Sequence, residues 1–273
     1  MTVTDVVAST RASDALRARP GGFLHDVTTI AGRALRGVPR DMEAVTPPIF
    51  IALFFFIVNI ASFSKLTKSA GGSFDYTAFE MPTAILLGVT GISRAGALVL
   101  DIQNGYLDRL LMTPVRRISI LVGHMVADVA VAIALTVPIL ALGFAIGVRF
   151  ETGVIGVLAF IGFAALWSLA FAGFGYAIAL KTGNPAAVNS SFLLFFPFLF
   201  LTTSYVPRSQ LSGWLDTVAG LNPVTYLLEG LRSLVMQGWE AESLAKAALA
   251  ILMLGTISMS MCFAALRGRT KRG

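Results

Sequence analysis

Six apolar stretches, at approximately 47–64, 82–100, 118–148, 154–180, 185–206 and 243–266, dominate this 273-residue chain. A hydrocarbon core of about 30 Å takes roughly 20 apolar residues of helix to cross, and lipid offers no partner to a free backbone N–H or C=O. Each stretch meets that length, so the expected fold is an all-α membrane protein with six transmembrane helices. Composition agrees, because 56% of residues are hydrophobic and only 13% charged, too few charges to coat a soluble globule of this size.

Basic residues near span ends are retained on the cytoplasmic side. With both termini inside, fourteen Lys and Arg face the cytoplasm: Arg11, Arg17, Arg19, Arg33, Arg36, Arg40, Arg109, Arg116, Arg117, Lys181, Arg267, Arg269, Lys271 and Arg272. Five face outward (Lys65, Lys68, Arg149, Arg208 and Arg232), and Arg94 and Lys246 lie in or beside spans. The expected location is therefore the plasma (inner) membrane, multi-pass, with both termini cytoplasmic. The net charge of +6 suits the anionic head groups of membrane lipids and gives no reason to invoke nucleic acid. Cys262, the single cysteine, sits in the last span and excludes a disulfide framework. The first 46 residues hold no apolar signal segment.

Residues 1–20 read as a mobile cytoplasmic tail ending at Pro20-Gly21-Gly22. Over 21–45, Phe23, Val27, Ile30, Ala34 and Val38 recur at helical spacing while His25, Asp26, Arg33, Arg36 and Arg40 fall elsewhere. That pattern predicts an amphipathic helix, lying either on the inner membrane surface or against another protein. Pro47 and Pro48 suit the first turn of the first span. Residues 46–267 form one six-span unit, with 268–273 a second cytoplasmic tail.

The longest outer connection, 206–240, carries its own helix signal. Asn222 supplies a cap and Pro223 a first-turn residue, so a helix is expected from Val224 to about Met236, closed by Gly238. Thirteen or so residues cover only about 20 Å, too short to cross, which predicts a re-entrant hairpin on the outer side. Glu229 and Arg232, three apart, are placed to pair along one face.

Between spans two and three lies "GYLDRLLMTPVRR", residues 105–117. Leu107, Leu110 and Leu111 share one helical face, Asp108 and Arg109 flank it, and Thr113-Pro114 ends the turn. A short cytoplasmic helix showing leucines buries them either in the bilayer surface or in a partner's groove.

Enzymatic chemistry finds little support. The phosphate cradle G-x-x-x-x-G-K-[ST] is absent; Gly175 to Thr182 comes closest, with Leu180 in place of the second glycine. Gly91-Ile92-Ser93-Arg94-Ala95 misses G-x-S-x-G at its last residue, and only His25 and His124 could serve as bases. No His/Cys/acid spacing suits a metal. No catalytic residue is assigned.

Intramembrane polar residues each need a partner. Arg94 shares a face with Asp101, and Asp128 follows His124 by one turn; an Arg94–Asp128 pair, a wetted vestibule or substrate contact would each account for them. Phe192, Phe195 and Phe196 make an aromatic stripe in span five that reads equally as packing or as cavity lining. Asn59 in span one is either a cavity group or a helix–helix hydrogen bond.

The stretch "NGYLDRLLMTPVRRISILVGH" resembles the cytoplasmic coupling segment of ABC-2 type permeases. Residues 198–238, "FLFLTTSYVPRSQLSGWLDTVAGLNPVTYLLEGLRSLVMQG", resemble that family's fifth span, outer re-entrant hairpin and Asn-Pro-x-x-Tyr helix. The nearest likeness is to daunorubicin-resistance drug permeases, over about nine tenths of the chain. Asp101, Gln103 and Asn104 before Gly105 depart from the family's acidic–Arg pairing there. The resemblance implies a permease subunit paired with a second one, as homodimer or heterodimer, and served by two separate ABC ATPase subunits that bind ATP and Mg. The expected cargo is an amphiphilic substrate such as a drug, lipid or glycan. It further implies that Leu107, Asp108, Arg109, Leu110, Leu111, Thr113 and Pro114 dock into the ATPase. Asn222, Pro223, Tyr226, Glu229 and Arg232 would form an outer gate, and Asn59, Arg94, Asp128, Phe192, Phe195 and Phe196 would line a substrate cavity. The alternative is a secondary transporter or channel, which needs midplane acids and two related halves. Only Asp128 answers to the first requirement, and no half-repeat is evident.

Overall fold

The architecture, a computed structural model, describes residues 22–69, 74–91, 93–191, 193 and 195–269. The expected tail at 1–20, residues 270–273, Phe192 and the side chains of Lys65, Lys68 and Leu111 lie outside the described residues. Twelve α-helices run in order among the described residues. They are α1 (Phe23–Gly37), α2 (Met42–Ser69), α3 (Tyr76–Thr90), α4 (Ala95–Gln103), α5 (Tyr106–Leu111) and α6 (Arg117–Ile146). After them come α7 (Gly153–Thr182), α8 (Pro185–Ser191), α9 (Phe195–Phe200), α10 (Trp214–Leu221), α11 (Pro223–Met236) and α12 (Ala241–Arg269).

Five segments are long and apolar enough to cross a bilayer: Val45–Ser64, Tyr76–Gln103, Arg117–Ile146, Gly153–Thr182 and Ala241–Gly268. The expected fifth span, 185–206, is not among them. Its apolar helical part ends at Phe200, and residues 201–206 are bends rather than helix. Pro207 biases Val206 away from helical geometry, and the hydroxyls of Thr202, Thr203 and Ser204 compete locally for backbone groups.

The second span also departs from expectation. It begins at Tyr76, not 82, because Asp75 caps it: Oδ1 accepts from the N–H groups of Thr77 (2.9 Å) and Ala78 (3.1 Å). It then pauses between Thr90 and Ala95, where helical hydrogen bonding stops and restarts. A buried break leaves backbone and cap groups needing partners. Neighbouring helices supply them: Ser168 Oγ donates to Val89 O (3.1 Å), Trp167 Nε1 donates to Thr90 Oγ1 (2.9 Å), and Asp128 Oδ1 accepts from Arg94 N–H (2.6 Å). Pro47 and Pro48 fall inside α2, which starts at Met42, so they do not occupy its first turn.

Helix α7 packs along α12, and α11 wedges between α12, α3 and α7. Close approach depends on small residues, as in lipid-embedded packing generally. A Cβ on Gly173 would lie 2.9 Å from the Ser258 backbone, and one on Gly230 would lie 2.6 Å from Ala247 Cβ. The main core gathers Phe56, Ile85, Leu86, Phe160, Trp167, Leu227 and Leu231. Helix α1 packs its apolar side on the chain's own α6, with Val27, Ile30, Ala31 and Ala34 buried. Gly123 permits that contact, since a Cβ there would meet Ile30 Cβ at 2.7 Å.

Candidate functional site

Helix α5 starts at Gly105, whose φ of 65° is the left-handed conformation that favours glycine. The reversal turns the chain sharply out of α4 into a six-residue helix. Leu107 is only 3% exposed and sits in a core with Leu98, Leu121 and Leu180, while Leu110 packs half-buried on the same cluster. The expectation that Leu107 belongs to an open docking face is therefore corrected. A helix this short has too little propensity to stand alone, and burial of Leu107 with partial burial of Leu110 helps to hold it. The outward surface is made instead by Asp108, Arg109, Met112, Thr113 and Pro114, with Met112 81% exposed.

From α1, Arg33 reaches this region. Its guanidinium grips both oxygens of Asp101 at the end of α4 and lies 4.3 Å over the Tyr106 ring of α5. The sequence placed Asp101 on one helical face with Arg94; the structure pairs it with Arg33, and His124 Nε2 stands 3.6 Å away. Arg94 sends its side chain to Asp41 (3.0 Å) and only its backbone N–H to Asp128. The expected Arg94–Asp128 pair is thus a backbone contact, not an ion pair. Asp128 is fully buried and its second oxygen accepts from Tyr176 Oη at 2.5 Å, which makes it an anchor of the helix break rather than an open group in a vestibule.

The α10–α11 segment is organised around α11. Asn222 Oδ1 accepts from Val224 N–H (3.0 Å), with Pro223 in the first turn as expected. Its Nδ2 donates to Phe198 O (2.6 Å) and Leu201 O (2.8 Å), the carbonyls left open where α9 ends. Gly238, with φ of 99°, closes the helix by donating to Ser233 O (2.8 Å). Tyr226 Oη donates to Gly220 O (2.5 Å), fastening α10 to α11.

Arg232 does not pair with Glu229. It is 6% exposed, and its five N–H groups go to Phe79 O (3.0 Å), Thr203 O (2.8 Å), Thr203 Oγ1 (3.1 Å), Thr83 Oγ1 (3.2 Å) and Ser204 O (3.2 Å). Its guanidinium carbon also lies 3.5 Å from the Phe79 ring centre. Guanidinium carries five donors in a rigid fork, so this set exhausts it. The bends at 201–206 need that fork: a non-helical backbone inside the bundle must find partners within the protein. Burial lowers the Arg232 guanidinium to about 9, still cationic at neutral pH, with Glu80, Tyr76 and Glu229 pulling the other way. Glu229 is left facing a cavity of about 340 Å³, together with Phe74, Arg208 and Glu240. Its half-burial raises the carboxyl above the usual carboxylate range, opposed by Arg208 and Arg232.

Among the span-five aromatics, Phe195 is core, in contact with Trp167 and Phe171. Phe196 is half-buried and stacks on Phe200, with centroids 6.0 Å apart. Asn59 is buried and donates from Nδ2 to Glu80 Oε1 at 2.7 Å. Glu80, Thr83, Tyr176, Asp41 and the 202–205 bend carry no role in the sequence reading. For Glu80 the available signal was Asp75, whose cap moves the helix start upstream and draws the acid inside.

The family model described as "ABC-2 type transporter" matches residues 25–236. Two strains of Mycobacterium tuberculosis each have a protein named "Probable doxorubicin resistance ABC transporter permease protein", 26% identical over 220 residues, covering 79% of this chain and 79% of the relative. A "Daunorubicin resistance ABC transporter permease protein" of Streptomyces coeruleorubidus is 26% identical over 201 residues, 69% of this chain and 65% of the relative. With the family model spanning well over half its length, the chain belongs to the ABC-2 type transporter family.

Proposed function

We propose that the chain is the transmembrane subunit of an ATP-driven exporter of amphiphilic drugs or lipids in the plasma membrane, working as a dimer of permeases with two separate ABC ATPases. In this reading the five long helices are joined by a sixth crossing built from α8, α9 and the bends after them, and both termini face the cytoplasm. The α10–α11 hairpin re-enters from the outside, with Glu229 at the mouth of its cavity. The relatives' names supply the drug-export theme.

One observation carries the reading: α5 is anchored from within by Leu107 and presents a bare tip with an exposed methionine on a chain that lacks a phosphate-binding loop. An exposed apolar side chain at the end of a buttressed helix is a knob for a groove. Movement of an ATPase groove on ATP binding would pass through α5 into α4 and, by the Arg33 clamp, into α1. Phosphate chemistry then stays on the partner chain. Co-expression with the ATPase and affinity purification tests this. Met112→Asp should cut ATPase recovery at least fivefold and abolish ATP-dependent dye export from inside-out vesicles, with the bundle still inserted. Full recovery and full export in that variant would overturn the docking assignment. Transport by the purified chain alone, driven by an ion gradient, would favour a secondary transporter instead; buried Glu80 and Asp128 are the acids such a mechanism needs.

A further inference from the structure

Glu80 is the buried acid that the fold leaves half-satisfied. It is 1% exposed, one turn into α3, and its Oε1 accepts from Asn59 Nδ2. Its Oε2 is also buried and has no hydrogen-bond partner among the described residues. Arg232 is close enough to influence it, yet all five of its N–H groups are given to other acceptors. A buried acid with one oxygen left without a hydrogen bond among lipid-embedded helices is costly, and such residues mark ligand or ion paths.

The surroundings say what kind of ligand. Glu80 faces a cavity of only about 10 Å³, lined also by Phe55, Asn59, Thr83, Phe196 and Phe200. That is room for roughly one water-sized group. An ammonium group has that size and brings donors to an oxygen that has none. The walls are aromatic, and ring faces attract cations. At the edge, Phe200 is 47% exposed and stacks on Phe196, and this pair offers an aromatic border to an apolar group. A metal is a poor fit: no group of three or more His, Cys, Asp or Glu assembles among the described residues, and hard cations want six or more oxygens.

We propose that Glu80 is the charge-reading residue for cargo: its carboxylate oxygen without a hydrogen bond receives a protonated amine of an amphiphile whose apolar part lies along the exposed edge of Phe200. This rests on the export reading and adds a specificity to it. The cargo favoured is then a cationic amphiphile over a neutral one of equal size.

Dansylcadaverine, a primary amine, and its neutral N-acetyl derivative provide the test, titrated by fluorescence onto the permease–ATPase complex in lipid nanodiscs. The wild type should bind the amine at least tenfold more tightly than the acetylated probe. Glu80→Gln keeps the acceptor for Asn59 and loses the charge, so it should erase the preference while binding of the neutral probe stays within twofold. Glu80→Asp, should the glutamine variant fail to assemble, must retain part of the preference. No preference in the wild type, an unchanged preference in Glu80→Gln, or equal loss of both probes would each overturn the inference. ATP-dependent uptake of the neutral probe into inside-out vesicles separates the two readings. If that uptake persists without amine preference, the amine site falls and the export reading stands; if neither probe moves with ATP, the export reading falls with it.

Discussion

Replacing Arg232 with methionine removes the clamp on the 201–206 bends while keeping an apolar stem of similar length. The side chain donates to five acceptors on α3 and the bends. After the change Ser204 O keeps Thr83 Oγ1 as a donor (3.3 Å), but Thr203 O and Thr203 Oγ1 lose the donor they had. Each buried acceptor left unpaired costs about 1–3 kcal/mol, offset by relief of the desolvation that the buried cation itself suffers. Two such acceptors give about 4 kcal/mol, and the offset leaves a net loss of about 3 kcal/mol, close to two decades in the folding equilibrium. At 2–4 °C per kcal/mol for a domain of this order, the melting midpoint should fall by about 10 °C. Cys262, the single cysteine and fully buried, is a built-in reporter: a thiol-reactive fluorophore reads unfolding of the detergent-solubilised chain without further labelling. Arg232→Lys offers three donors without the planar fork and should lose about half as much. Glu229→Gln, outside the donor set, should move the midpoint by less than 2 °C. A methionine variant melting within 2 °C of wild type, or a Glu229→Gln loss equal to that of Arg232→Met, would refute the clamp and restore the helical-face pair.

Asn222→Ala removes a cap and two carbonyl partners, so a loss of about 2–4 kcal/mol is expected in the same thiol assay. Asn222→Asp keeps the cap but turns an oxygen toward Phe198 O and Leu201 O, and should be worse than alanine; a neutral aspartate variant would mean the cap alone matters. Gly123→Leu places a side chain where Ile30 already sits, so α1 should lift off α6 and tryptic cleavage at Arg33 or Arg36 should quicken at least tenfold; unchanged digestion counts against the docking of α1. Glu229→Lys should reduce ATP-driven export at least fivefold with ATPase recovery unchanged, because a second cation beside Arg208 alters the cavity there and not α5; wild-type export would remove Glu229 from the gate.

The long spans were legible because length and apolarity alone decide whether a helix can cross lipid. The Asn222 cap, Pro223 and Gly238 were legible because each acts on its own backbone neighbours. What failed were the pairings suggested for charged residues: Arg94 with Asp128 as an ion pair, and Glu229 with Arg232 along one helical face. Spacing says which side chains share a face, not which partner another helix brings. Arg33 arrives from α1, Asp41 from the link after it, and the 201–206 carbonyls from a bend that hydropathy counts as helix. Leu107 misled for a related reason, since a short run of leucines looks the same whether it faces a partner or the core beneath it.

The pause before α4 and the end of α9 obey one rule. Each break falls where a buried polar side chain from another helix takes the freed groups: Asp128 on α6 for the pause before α4, Arg232 and Asn222 on α11 for the end of α9. Unbroken helices would need neither the buried carboxylate nor the buried guanidinium, and burying either charge is expensive. The cost is tolerable if the breaks are where the bundle changes shape, because rigid lipid-spanning rods offer few other places to bend. The two breaks also bracket the cargo path proposed above. The α3–α4 pause lies between Glu80 and the α5 knob, and the α9 bends separate the Phe196–Phe200 pair from the Glu229 cavity. On the proposed reading, motion entering at α5 would meet the α3–α4 pause before it reached cargo, and cargo leaving the Phe196–Phe200 pair would pass the 201–206 bends before the Glu229 cavity.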